Sequence, residues 1–136
     1  MTTSAPPGSS LSLRERLPAT APSVATARHA VRRFAAGLDV DVDGLVLAVS
    51  EAVANVAAYA YGDGVAGTVE LDGSVTPDEL TIVVRDRGRG LGGSPAHGAG
   101  FGLDIIRRVA QHVELADSRH GVALTMRFRR GGAWAR

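Results

Sequence analysis

The sequence predicts a two-layer α/β sandwich, a mostly antiparallel sheet covered on one face by three helices. Three observations predict it. Short segments alternate apolar and polar residues, as strands buried on one face do. Most of these segments are joined by turns too short for a parallel crossover. Other segments space their apolar residues at helical intervals.

The chain of 136 residues suits one domain with a real core. Residues 1–10, MTTSAPPGSS, have no basic n-region and no apolar h-region, so they read as a disordered tail rather than a secretory signal. Residues 11–130 read as the domain and 131–136 as a C-terminal tail. Leu11, Leu13 and Leu17 alternate with Ser12, Arg14 and Arg16, a short strand ended by Pro18. Pro22 opens a helix with Val24, Ala27, Val31 and Phe34 on one face, and Gly37 ends it. An apolar helix runs from about Val42 to Ala60, followed by the Gly-rich turn YGDGVAG. Val69 and Leu71 mark a half-buried strand, SVTPDE a turn, and Leu80, Ile82 and Val84 the next strand. A helix over about Gly102 to Gln111 turns Leu103, Ile106 and Val109 inward. HVELA reads as a strand, SRHG as a turn, and Val122, Leu124, Met126 and Phe128 as the inner face of the last strand.

Composition excludes several chemistries. The hydrophobic fraction of 45% is ordinary, and a net charge of +1 signals no direct nucleic-acid partner. With no Cys there are no disulfides, thiol nucleophiles or Cys-ligated metals. With no Lys, all 15 basic residues being Arg, there is no Walker A lysine and no Schiff base. Any phosphate must be held by backbone N–H groups, Arg or a metal. No apolar run reaches the length of a membrane span, so a cytoplasmic protein without membrane contact is expected.

The candidate site starts in the long helix. Glu51 and Asn55 are four residues apart in SEAVANVAAYAY, one turn apart on one face. A carboxylate in so apolar a helix needs a partner or a wet cleft. Two readings are open: polar residues satisfied by neighbouring backbone, or a ligand pair. In the second, the Asn55 oxygen ligates Mg²⁺, which commonly takes one or two protein ligands plus phosphates. Glu51 beside it can deprotonate an attacking hydroxyl.

The Gly-rich stretch RDRGRGLGGSPAHGAGFG has seven glycines in 18 residues. Its GRGLGG matches GxGxxG, but no helix opens at once, as a dinucleotide site requires. Asp86-x-Gly88-x-Gly90 places a carboxylate at a strand end beside glycines that let a flat ligand approach. Gly98-x-Gly100-x-Gly102 enters a helix whose first N–H groups suit phosphate. Together they suit a nucleotide; the alternative is a flexible surface loop. Arg87 and Arg89 either reach phosphate or a partner's acid, or are solvated. Arg107 and Arg108 read as exposed. His29, His97, His112 and His120 show no metal spacing.

The order Glu51-x-x-x-Asn55, Asp86-x-Gly88-x-Gly90, Gly98-x-Gly100-x-Gly102 resembles the N, G1 and G2 boxes of the GHKL ATPase superfamily. SEAVANVAAYAYG, VRDRGRGL and GFGLDIIRRVA most resemble its small branch, the RsbW-type anti-sigma factor serine-protein kinases, over about Leu11 to Arg129. The resemblance implies a Bergerat-type fold binding ATP and Mg²⁺. It makes Glu51 the catalytic base and Asn55 the metal ligand. Asp86 accepts the adenine amino group, and Gly88 and Gly90 shape its pocket. Residues Leu91 to Ala99 form a lid, with Gly98, Gly100, Phe101 and Gly102 on the nucleotide. The implied partners are a sigma factor, which is sequestered, and a STAS-type anti-anti-sigma protein phosphorylated on Ser or Thr; a homodimer is also implied. Relatives often carry His at Tyr59, and often Thr after a Gly just before the last strand, where this chain has Gly121-Val122. Two rival functions are a nucleotide-sensing interaction module that transfers no phosphate, and a detached catalytic module serving a histidine on another protein.

Overall fold

The computed structural model describes residues 11–62, 64–89 and 103–131. In chain order the elements are β1 (Ser12–Pro18), α1 (Pro22–Ala35), α2 (Val42–Asn55) with a π-helical turn (Val56–Ala60), β2 (Thr68–Val75), β3 (Glu79–Asp86), α3 (Leu103–Val109), β4 (His112–Ser118) and β5 (Gly121–Arg129).

Local chemistry sets the helix ends. Pro22 stands in the first turn of α1, where a missing N–H costs nothing. Ala27, Ala30, Val31 and Phe34 form its buried stripe, Arg32 and Arg33 complement the dipole at its end, and Gly37 at φ 80° turns the chain away. Asp41 caps α2 by accepting from the Gly44 N–H at 3.0 Å, an interaction worth about 1 kcal/mol.

All strands pair antiparallel in one sheet of order β1-β2-β3-β5-β4. The alternation read from the sequence survives in the burial: Val69, Leu71 and Val75, then Leu80, Ile82 and Val84, then Leu124, Met126 and Phe128 face inward. Cross-strand partners such as Leu71↔Val84, Ile82↔Met126 and Leu80↔Phe128 line up these apolar rows. Against them pack Val31 and Phe34 of α1, Leu45, Val49 and Val53 of α2, and Ile106 of α3. The two-layer sandwich with three helices on one face is therefore the architecture of the described residues. Arg107 and Arg108 are exposed, as their helix position predicts.

The helix read over about Val42 to Ala60 is present, and what is corrected is the expectation that no apolar run reaches the length of a membrane span. The π turn continues α2, so the helix runs unbroken over Val42–Ala60, 19 residues of mean hydropathy 1.4, long and apolar enough to span a membrane by length and composition. Asp43 and Glu51 interrupt the apolar run in the sequence but not the helix. Here that helix lies between α1 and α3 and over β3, and supplies the centre of the core.

Candidate functional site

Asp86 is the last residue of β3 and faces the helices, one row beyond Val84. It is 6% exposed. Its Oδ1 accepts two backbone bonds, from the Gly88 N–H at 2.9 Å and from the Val122 N–H at 3.3 Å. The first closes a local turn; the second reaches across to the start of β5. Burial pushes the Asp86 carboxyl up from its ordinary range. The Gly88 and Val122 N–H groups oppose that rise, and Asp117 on β4 adds to it. A hollow of about 250 Å³ at this end of the sheet is bordered by Asp86, Asp117, His120 and Gly121.

Two glycines permit this corner. A Cβ on Gly88 would overlap the Ala60 carbonyl at the end of the π turn. Gly121 sits at φ 136°, and a Cβ there would strike the Asp86 backbone. The neighbouring bond, Arg89 N–H to the Ala60 carbonyl at 3.1 Å, docks the loop after β3 onto the helix end.

Glu51 and Asn55 lie one turn apart on α2, both half-buried, among the buried residues Val49, Ala52 and Val53. Asn55 is the last α-helical residue, and the π turn begins at the next position. π turns inside helices are frequent at functional sites, because the wider turn re-aims the flanking side chains. The sequence singled out nine site residues, and the structure describes four of them: Glu51, Asn55, Asp86 and Gly88. The helix end and the Asp86–Gly88 corner are joined through Ala60. Gly90, Gly98, Gly100, Phe101, Gly102 and the Leu91–Ala99 segment lie outside the described residues, as does His97.

The other candidates have these surroundings. Arg87, whose side chain is exposed, pairs at 3.3 Å with Glu70 of the same chain. Burial alone would raise the Glu70 carboxyl, but Arg16 and Arg87 hold it below its usual range. This network sits on the outer sheet face, away from the helices. The Gly121-Val122 pair belongs to β5 rather than preceding it, because the ladder to β4 starts at Gly121↔Ser118. Among the described residues no cluster of His, Asp and Glu could hold a metal ion, and His112 pairs with Glu114 at 3.1 Å. Sequence reasoning missed the Val122 N–H, which no side-chain pattern reveals, and Tyr61, whose hydroxyl bonds the Arg87 N–H at 3.0 Å.

The family model described as histidine kinase-like ATPase domain matches residues 17–128. No curated protein matches the chain. Among solved structures, the RsbU and RsbW domains of Rv1364c from Mycobacterium tuberculosis superpose with a TM-score of 0.70 at 23% identity, covering 88% of this chain and 33% of that one. The histidine kinase domain of the Erythrobacter litoralis EL346 blue-light activated histidine kinase gives 0.60 at 18% identity, covering 82% of this chain and 61% of that one. This chain thus spans about a third of the mycobacterial chain. At these identities the likeness is one of fold.

Proposed function

Because the chain belongs to the histidine kinase-like ATPase domain family, we propose that it is an ATP-dependent anti-sigma factor of RsbW type, which sequesters a sigma factor and phosphorylates a STAS-type anti-anti-sigma protein on Ser or Thr. It would act in the cytoplasm, as a homodimer. The observation that carries this reading is the Asp86 corner. A buried carboxylate is held by two backbone N–H groups on Oδ1, beside glycines that leave room for nothing larger than hydrogen. A carboxylate recessed at such cost suits a ligand with an amino group, and adenine has one. Oδ2, the other oxygen of that carboxylate, would accept from that amino group.

Asn55 would ligate Mg²⁺, and the glycines Gly90, Gly98, Gly100 and Gly102, with Phe101, would close on the nucleotide. ATP, when bound with Mg²⁺, supplies the γ-phosphoryl group. Glu51, one turn from Asn55, takes the proton of the partner's hydroxyl on a carboxylate oxygen and orients that hydroxyl. With no covalent intermediate, the chain's contribution is positioning and charge stabilisation. Val122 in place of Thr bears on this less than its lost hydroxyl suggests. The contact from this position to Asp86 is a main-chain N–H, which every residue but proline carries.

The test is single-turnover transfer from labelled ATP to a STAS-type partner, followed by acid and base treatment of the product. Base-labile, acid-stable label is expected. Glu51→Gln should keep ATP binding and lose about 10²–10⁴-fold in transfer rate. Tight ATP binding without transfer would identify a nucleotide-sensing module instead. Acid-labile label would point to a histidine acceptor, and an undiminished rate in Glu51→Gln would place the base elsewhere.

A further inference from the structure

Tyr61 is the first residue after the π turn, half-buried and extended at φ −123° and ψ 152°. Its hydroxyl donates to the Thr68 carbonyl at 2.6 Å and accepts from the Arg87 N–H at 3.0 Å. The place of this bridge gives it meaning. The β2–β3 register runs Glu70↔Arg85, Val69↔Asp86, so one step further Thr68 faces Arg87. Alternate residues of an antiparallel strand bond to opposite neighbours. The Gly67 carbonyl accepts from the Ala19 N–H at 2.9 Å, on the β1 side. Thr68 therefore points toward β3. At the other end, the Thr76 N–H bonds the Glu79 carbonyl at 2.8 Å on the same alternation. Thr68 and Arg87 thus occupy the position of a direct rung. The Tyr61 hydroxyl stands in series within it, between the N–H and the C=O.

We infer that Tyr61 is a positioning residue of the nucleotide pocket, its inserted hydroxyl setting where the Asp86–Gly88 corner leaves the sheet relative to the helix that carries Glu51 and Asn55. The inference rests on the nucleotide-binding reading of that corner. Arg87 lies between Asp86 and Gly88, so whatever holds its N–H holds both. Consecutive residues at the helix end grip alternate residues of the loop: the Ala60 carbonyl takes the Arg89 N–H and the Tyr61 hydroxyl the Arg87 N–H. The ring that carries the hydroxyl lies where a Cβ of Gly67 would be, so this glycine fixes its seat. Without the hydroxyl, either Arg87 closes onto Thr68 in a direct rung or both groups lose their partner. Each outcome turns Asp86 away from its place.

The test compares Tyr61→Phe, which keeps the ring, in wild-type and Asp86→Ala backgrounds. ATP affinity should fall about tenfold, about 1.4 kcal/mol, in the first background and by less than about twofold in the second, because the effect runs through Asp86. A structural role alone would weaken both backgrounds alike, and that result, or wild-type affinity in folded Tyr61→Phe, overturns the inference. Gly67→Ala, which displaces the ring but keeps the hydroxyl, should weaken ATP binding in the same direction and serves if Tyr61→Phe does not fold. Amide exchange separates this inference from the reading beneath it. Arg87 N–H protection should drop in Tyr61→Phe without any nucleotide, and unchanged protection refutes the bridge. A wild-type protein that binds no ATP removes the nucleotide reading, and the inference with it.

Discussion

Replacing Asp86 by Asn separates what its charge does from what its shape does. The carboxamide oxygen can accept the same bonds from the Gly88 and Val122 N–H groups that Oδ1 accepts now, so the corner keeps its geometry. Its NH₂ takes the place of the second oxygen, and the adenine amino group then meets a donor instead of an acceptor. A hydrogen bond to a charged group is worth about 1.5–3 kcal/mol, so ATP affinity should fall by about 10- to 150-fold. Stability should move the other way. Burial raises the Asp86 carboxyl above its ordinary 3.8, so the folded protein holds that proton where the unfolded chain has released it. The Asp86 contribution to stability is then present below 3.8 and declines as pH rises through the raised folded value, opposite in sign to the contribution of Glu70, whose carboxyl is held below its usual range. Asn carries no charge, so this decline should be absent in Asp86→Asn, and at neutral pH the ligand-free variant should equal or exceed the wild type. Titration calorimetry reads the affinity, and urea unfolding across the acid range reads the stability. Wild-type ATP affinity would refute the assignment of the corner. A variant less stable than wild type at neutral pH by more than about 1 kcal/mol, the size of a lost hydrogen bond, would refute the claim that the charge is held at a cost.

Asn55→Ala should abolish the enhancement of ATP binding by Mg²⁺ while changing metal-free binding little; equal enhancement in both proteins, measured by titration with and without the metal, would make Asn55 purely structural. Gly88→Ala forces a methyl onto the Ala60 carbonyl, so it should cost about 1–3 kcal/mol of stability and weaken nucleotide binding, read by thermal unfolding and by titration. A Gly88→Ala protein as stable as wild type would show that the helix end and the loop are not in contact.

The fold was legible where local chemistry decides it. Pro22 in a first turn and Gly37 after a last one mark helix ends by mechanisms that act within a few residues. The alternation of Leu124, Met126 and Phe128 needed only a covered face. Long-range facts were not legible. The insertion of β5 between β3 and β4 is set by partners about forty residues apart, such as Val84↔Leu124. The π turn leaves no mark in the apolar run VAAYA, of which Val56 and Ala60 are buried. At the site, the sequence pointed to Asp86 as a carboxylate at a strand edge, and the structure adds its burial. Nothing in the residue types showed that Val122 would serve through its main chain. Nor did they show that a tyrosine hydroxyl would stand inside a strand ladder. The Arg87–Glu70 pair was not legible, because Glu70 lies 17 residues upstream on another strand.

The position of β5 also governs when this fold can be finished. It pairs with β3 on one side and β4 on the other, yet it is the last described element along the chain. During synthesis, β2 and β3 can zip together as a hairpin, and β1 can join β2 across the two helices between them, while later residues are still being made. β4 emerges with nothing to bond to, and the edge of β3 that will pair with β5 keeps its backbone N–H and C=O groups open. Only when Arg129 has left the ribosome can one strand close both gaps at once. Until then the Val122 N–H is not in place to hold Asp86. A nascent protein of this kind depends on its final hairpin, and is most exposed to aggregation just before that hairpin arrives.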